Sequence, residues 1–181
     1  RVIAQQELVR KVILAGTGPV GGRGIENVTA RTYLDMLRGA LTVRDAKHYL
    51  FFTRTPNGKA AARDFMKRLK ERTNDRDKPI SIRSFRAHLK AIHAWGLQES
   101  ADLSRIQQPV FLANGDQDRM VPSSNSADLA RRLPNAQLAI YPDAGHGGIF
   151  QHHQQFVPAA LEFLAPEQNG ASASSSGRVE H

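Results

Sequence analysis

Two hydrophobic patterns divide this chain. Short uninterrupted apolar runs occur near its start and in its last third, and a long stretch between them carries apolar residues at helical spacing. Val12-Ile13-Leu14-Ala15 is stopped by Gly16-Thr17-Gly18-Pro19, with Gly21, Gly22 and Gly24 following, which predicts a buried strand running into a loop. Pro109-Val110-Phe111-Leu112-Ala113 and Leu138-Ala139-Ile140-Tyr141 predict two more buried strands. From Thr29 to about Gly96 the spacing is helical. Thr29 reads as the cap of a helix using Tyr33, Leu34 and Leu37; Ala62, Phe65, Met66 and Leu69 form a second stripe; Ile82, Phe85, Leu89 and Ile92 form a third before Trp95-Gly96. Asn57-Gly58 and the run Asn74-Asp75-Arg76-Asp77-Lys78-Pro79 read as a turn and a loop. Ser123 or Ser124 caps a helix presenting Ala127, Leu129, Ala130 and Leu133, and the stripe Phe156, Val157, Ala160, Leu161 and Leu164 predicts a closing helix. Residues 1–11 read as the tail of a helix or a lead-in. Strand, helix, strand, helix predicts parallel strands joined by right-handed crossovers, an α/β architecture.

Length and composition narrow the picture. A chain of 181 residues suits one domain with an ordinary core. It contains no cysteine, which excludes disulfides and thiolate metal sites and suits a reducing cytoplasm, the expected location. No apolar run reaches the length of a membrane span and the N-terminus carries no signal-peptide pattern, so no membrane association is expected. The net charge of +8 is lopsided: residues 1–105 carry 21 Lys/Arg against 10 Asp/Glu, and residues 106–181 carry 4 against 7. The cations are interleaved with acids and apolar residues, as in Lys67-Arg68-Leu69-Lys70-Glu71-Arg72, and no recognised nucleic-acid motif surrounds them. A solvated helical face is the preferred reading, and nucleic acid is not the expected partner. The glycines at 16–24 lack the Gly-Lys-Ser/Thr of a phosphate-binding loop and read as a plain turn, while His88 and His93 have no ligand types at metal spacing.

The chemistry sits in two short stretches. Asn114-Gly115-Asp116-Gln117-Asp118-Arg119-Met120-Val121-Pro122 follows the second strand, and Pro142-Asp143-Ala144-Gly145-His146-Gly147-Gly148 follows the third. Side chains just beyond the carboxyl ends of parallel strands converge on one crevice. An aspartate that accepts a hydrogen bond from one imidazole nitrogen leaves the other free to take a proton from a nucleophile. Asp118 and His146 are the candidates for these roles. Asp116 competes for the first and is read instead as bonding local backbone amides; Asp143 is a third acid nearby. Acid–base chemistry by the same pair without a covalent intermediate is the other enzymatic reading.

The run 108–122, continued by Ala130-Arg131-Arg132-Leu133-Pro134-Asn135-Ala136 and Tyr141-Pro142-Asp143-Ala144-Gly145-His146-Gly147, resembles the C-terminal part of an α/β-hydrolase; Leu8 to Pro19 resembles that fold's sixth strand and its lead-in. The likeness covers roughly residues 2–165. It implies an incomplete α/β-hydrolase fold, with a short parallel sheet and flanking helices in residues 1–24 and 101–165 and an inserted helical cap over 25–100. By resemblance, Asp118 matches the acid of the family's triad and His146 its base. Leu34, Phe51, Phe52 and Trp95 are the candidates for an apolar lining that holds a small-molecule substrate. Family chemistry is acyl transfer to a serine and hydrolysis, usually of esters, with no metal or organic cofactor implied.

One departure stands out. The family's nucleophile occupies a Gly-x-Ser-x-Gly elbow, and no such pentapeptide occurs in the 181 residues. Ala4-Gln5 resembles a remnant of the helix after the elbow. Ser123, Ser124 and Ser126 follow the acid and are poor substitutes. The chain is therefore expected to supply acid and base yet be inactive alone, with the strand at 12–15 left as a bare apolar edge that self-associates or pairs with an N-terminal piece. The alternative is a non-catalytic module whose basic helical segment binds an anionic partner. Residues 166–181 contain little to bury and are expected to be disordered, and their ending Val-Glu-His resembles a vector-derived tag.

Overall fold

The computed structural model describes residues 8–166. The expectations for Ala4-Gln5 and for the tail after Pro166 lie outside the described residues, and residues 8–11 form a turn and bend rather than a helix. Three strands, β1 (Val12–Ala15), β2 (Val110–Gly115) and β3 (Ala136–Tyr141), build one parallel sheet in the order β1-β2-β3. Val12 pairs with Val110 and Val110 with Ala136, so the three carboxyl ends lie side by side.

Every residue of β2 is buried. Its side chains alternate between two faces, as a pleated strand requires. Val110 and Leu112 pack with Leu129 of α5 (Ser124–Arg132) and with Leu133 just after it, while Phe111 meets Phe156 and Phe163 of α7 (His153–Leu164) at ring separations of 6.1 and 5.7 Å. Burying each such side chain stabilises the fold by about 1.5–3 kcal/mol. The outer strands depart from the expectation of buried strands. β1 is half-exposed, and on β3 Leu138 and Ile140 remain 40% exposed, because each has one neighbouring strand among the described residues.

Between β1 and β2 lie a 3₁₀ turn at Ile25–Asn27 and four helices: α1 (Val28–Leu41), α2 (Lys47–Leu50), α3 (Pro56–Arg68) and α4 (Ile82–Gly96). Asn27, not Thr29, occupies the cap position of α1; the Thr29 hydroxyl instead donates to the Leu89 carbonyl and ties α1 to α4. Asn57-Gly58 lies in the first turn of α3 rather than in a loop. Thr55 caps that helix by accepting from the Gly58 amide at 3.1 Å, and Pro56 takes the first helical position, where its missing N–H costs nothing.

The face of α1 is also reversed from expectation. Val28, Thr32, Asp35 and Gly39 point inward, and Tyr33, Leu34 and Leu37 are exposed. The reversal has a polar cause: the Thr32 hydroxyl donates to the Val28 carbonyl, and buried Asp35 meets Arg119 from the turn after β2 at 3.4 Å. On α7, Phe156 and Phe163 take the sheet-facing side and leave Val157, Leu161 and Leu164 exposed. A short helix α6 (Gly148–Gln151) precedes α7. Among the described residues no helix is long and apolar enough to cross a membrane.

Candidate active site

The turn after β2 is built around buried side chains. The Asn114 amide nitrogen donates to the Val121 carbonyl and to Ser126 Oγ, both at 3.2 Å, and its oxygen accepts from the Gly115 amide at 2.8 Å. This folds residues 115–122 back over the strand end and turns Asp118 inward. One carboxylate oxygen, Oδ1, accepts from the Met120 and Val121 amides at 2.8 and 3.0 Å; the other, Oδ2, lies 2.9 Å from His146 Nδ1. The Asp118 side chain is fully shielded from solvent, whereas His146 keeps 27% of its side chain exposed. A carboxylate can only accept, so Nδ1 carries the proton and Nε2 of the neutral ring is left with its lone pair.

The turn after β3 is stitched to the first one. Asp116 Oδ1 accepts from the Ala144 amide at 3.1 Å and the Gln117 amide donates to the Ala144 carbonyl at 2.9 Å. Asp116 thus bonds a backbone amide, as read from sequence, but the amide belongs to the histidine turn. Gly115 is required by this close approach: a Cβ there would sit 2.2 Å from the Ala144 carbonyl oxygen and 2.3 Å from that of Gly145. Gly16, at φ +57°, lies against the imidazole, where a Cβ would come within 3.2 Å of Nδ1 and Cε1. Asp143 accepts from the Thr53 and Thr55 hydroxyls at 3.1 and 3.0 Å, and the Gly147 amide donates to the Phe51 carbonyl at 2.7 Å. The helical segment is fastened to the acid turn as well, through the Arg119–Asp35 pair and a hydrogen bond from the Arg31 guanidinium to the Arg119 carbonyl.

The imidazole borders an apolar cavity of about 440 Å³ whose wall includes Thr17, Ile25, Val28, Ile92 and Trp95. Of the lining residues expected from sequence, Trp95 is in this wall and donates from Nε1 to the Gly18 carbonyl at 3.3 Å. Phe51 stands beside the imidazole with ring centroids 5.8 Å apart but does not line the cavity. Leu34 is 65% exposed on the outward face of α1, and Phe52 is buried with Ala62 and Phe65 inside the helical segment, so neither lines it. Sequence reasoning missed Met120 and Val121, which also border the cavity and directly follow the acid turn, and Ile92, one turn before Trp95. Among the described residues His146 Nε2 has no hydrogen-bond partner; Ser126 is bonded to Asn114, and the Ser123 hydroxyl donates to the Asp116 carbonyl. No group of three or more carboxylate and imidazole side chains among the described residues is placed to hold a metal ion.

The parallel sheet with its flanking helices agrees with what comparison with known proteins finds. Residues 4–153 match the alpha/beta hydrolase fold family. The chain belongs to the α/β-hydrolase fold family. A solved alpha/beta hydrolase fold protein from Chitinophaga pinensis superposes with a TM-score of 0.79 at 32% identity, covering 88% of this chain and 57% of that one. The pimeloyl-[acyl-carrier protein] methyl ester esterase of Chromobacterium violaceum is 32% identical over 111 residues, which is 59% of this chain and 40% of the esterase. The poly(3-hydroxyalkanoate) depolymerase of Ectopseudomonas oleovorans is 39% identical over 69 residues, 38% of this chain and 24% of the depolymerase. The α/β-hydrolase relatives are thus matched over well under two thirds of their own length. The short three-stranded parallel sheet among the described residues, with its flanking helices, is an incomplete version of the family's fold.

Proposed function

We propose that this chain supplies the acid and base of a serine-type α/β-hydrolase acting on carboxylic esters, and that it is inactive alone. The observation that carries the reading is the 2.9 Å contact between Asp118 Oδ2 and His146 Nδ1, with the imidazole bordering an apolar cavity. In the reaction, Nε2 takes the proton of an attacking hydroxyl as its oxygen bonds to the ester carbonyl carbon. The buried Asp118 carboxylate stabilises the imidazolium so formed. When the bond to the leaving alkoxide breaks, Nε2 returns the proton to it, and the same exchange with water then frees the acid. The 181 residues contain no Gly-x-Ser-x-Gly elbow, so the hydroxyl and the oxyanion-binding amide beside it come from elsewhere. Loss of one oxyanion donor alone raises a barrier by about 2.7–4 kcal/mol, so the isolated chain stays silent. Residues 25–100 act as the cap over the apolar pocket, with Trp95 in its wall and Phe51 beside the imidazole.

The same reading assigns a role to the flank of β1. A cavity of about 600 Å³, larger than the one at His146, is lined there by Leu14, Leu103, Ile106, Val110, Leu129 and Leu133. The imidazole is not in its wall, so the chemistry belongs to the smaller cavity. We assign the larger one, with the half-exposed edge of β1, to strand pairing by a second copy or a separate N-terminal piece. Two measurements test these claims. With p-nitrophenyl acetate the chain should give no turnover above that of its His146→Ala variant; turnover that this substitution abolishes would overturn inactivity alone. Sedimentation should reveal concentration-dependent association, and a monomer at all concentrations that also fails to bind an added elbow-bearing fragment would remove the edge assignment.

A further inference from the structure

The basic half of the chain is not only a solvated face. The C-terminal turn of α1, α2, the loop at 53–54 and α3 enclose a cavity of about 580 Å³, separate from the one at His146, whose wall carries Arg38, Arg44, Arg54, Lys59, Arg63 and His48 and no carboxylate. Among the described residues, no carboxylate pairs with Arg44, Arg54, Lys59 or Arg63. The nearby acid Asp45 is engaged by Lys47 at 3.1 Å. Gathering this many like charges around one hollow is unfavourable without a counter-charge. The strain has two local signs. Burial, and then the charges of Arg44 and Arg63, push the His48 imidazole below its ordinary pKa, with Asp45 acting in the opposite sense. The turn that delivers Arg44 also passes through Val43 at φ +53°, a conformation that a β-branched residue rarely adopts and that clusters at binding sites.

We propose that this cavity binds a compact small molecule bearing two or more phosphate or carboxylate groups. Guanidinium forks suit both groups, since each presents paired donors to paired oxygens. The Thr53 hydroxyl in the wall already bonds Thr55 and Asp143, and the guanidinium of Arg38 stacks over the Tyr49 ring at 4.7 Å, so recognition falls to Arg44, Arg54, Lys59 and Arg63. A single nucleic-acid strand is disfavoured because it needs a series of open aromatic platforms along a groove, and with Tyr49 covered by Arg38 this wall offers only the His48 imidazole.

The test is calorimetric titration of the full chain with inorganic pyrophosphate and, separately, citrate, at fixed ionic strength. One-to-one binding with a Kd below about 1 mM is expected for at least one of them. It should weaken at least about tenfold in Arg44→Gln/Arg63→Gln and stay unchanged in Arg76→Gln/Lys78→Gln, whose charges lie in the exposed 69–81 loop. Amide NMR of the unaltered chain gives a readout that needs no variant: saturable shifts should centre on residues 42–63, and the His48 pKa should rise as the anion offsets Arg44 and Arg63. No saturable binding, equal loss in the two double variants, or an oligonucleotide that binds while both small anions fail would overturn the proposal.

Discussion

The two turns that close β2 and β3 and the helical segment between β1 and β2 both satisfy their buried polar groups but differ in the apolar surface they leave uncovered. In the turns, both Asp118 oxygens, the Asn114 amide and Asp116 Oδ1 are engaged by backbone or side-chain partners. The geometry of the imidazole is therefore fixed by residues of these 181 alone. The helical segment buries Asp35 and Thr32 under α1, yet turns Leu34, Leu37, Leu41 and Ile82 to solvent. Its outer surface leaves these apolar side chains uncovered among the described residues, whereas those polar groups of the turns are all engaged. The lesson is that backbone amides and neighbouring side chains within the turns hold the Asp118–His146 pair in place, while the helical segment leaves part of its apolar surface open.

Removing the centre of the turns should have the largest effect. Asp118→Ala strands the Met120 and Val121 amides and the imidazole, and should cost about 3 kcal/mol in urea unfolding, since each abandoned buried group costs about 1–3 kcal/mol. A loss under 1 kcal/mol would mean that the turn holds itself without the carboxylate. Gly115→Ala should come next, at about 1–3 kcal/mol for an overpacked contact, because its new methyl meets the Ala144 and Gly145 carbonyls. Its near-neutrality would break the claim that the two turns are tightly joined.

A third prediction concerns pH. Burial raises the Tyr141 hydroxyl above its ordinary value of 10.0, so the unfolded chain ionises this group first. The associated stability is present below pH 10 and is lost as pH rises through the folded value. Tyr141→Phe should flatten this alkaline loss in thermal melts, and an unchanged slope would locate the cause elsewhere. The smallest effect belongs to the other side of the comparison: Leu34→Ser should change stability by less than about 0.5 kcal/mol, as exposed positions do. A larger loss would show that Leu34 is covered in solution.

The contrast also explains what the sequence made legible. Apolar runs located all three strands because a parallel ladder with short glycine-bounded segments leaves a clear signature, and the acid and histidine turns were found because they follow such runs. The α1 face was misjudged for the opposite reason. Its inward residues Thr32 and Asp35 are polar, and Asp35 is placed by a partner, Arg119, 84 positions away in a different element. Periodicity cannot register a contact of that range. Phe51 and Phe52 both pack on Phe65 within the helical segment, a contact between separate elements that residue type alone does not reveal. Thr29 has the residue type of a cap, but its hydroxyl donates to the Leu89 carbonyl of another helix.

The central claim is that Asp118 and His146 stand ready while the attacking hydroxyl belongs elsewhere. Intact-mass analysis after exposure to a fluorophosphonate, which forms a stable bond with activated hydroxyls, tests it most directly. The account predicts that the chain stays unmodified even though Asp118 and His146 are hydrogen-bonded. A single adduct on a serine or threonine of this chain, lost in His146→Ala, would contradict it.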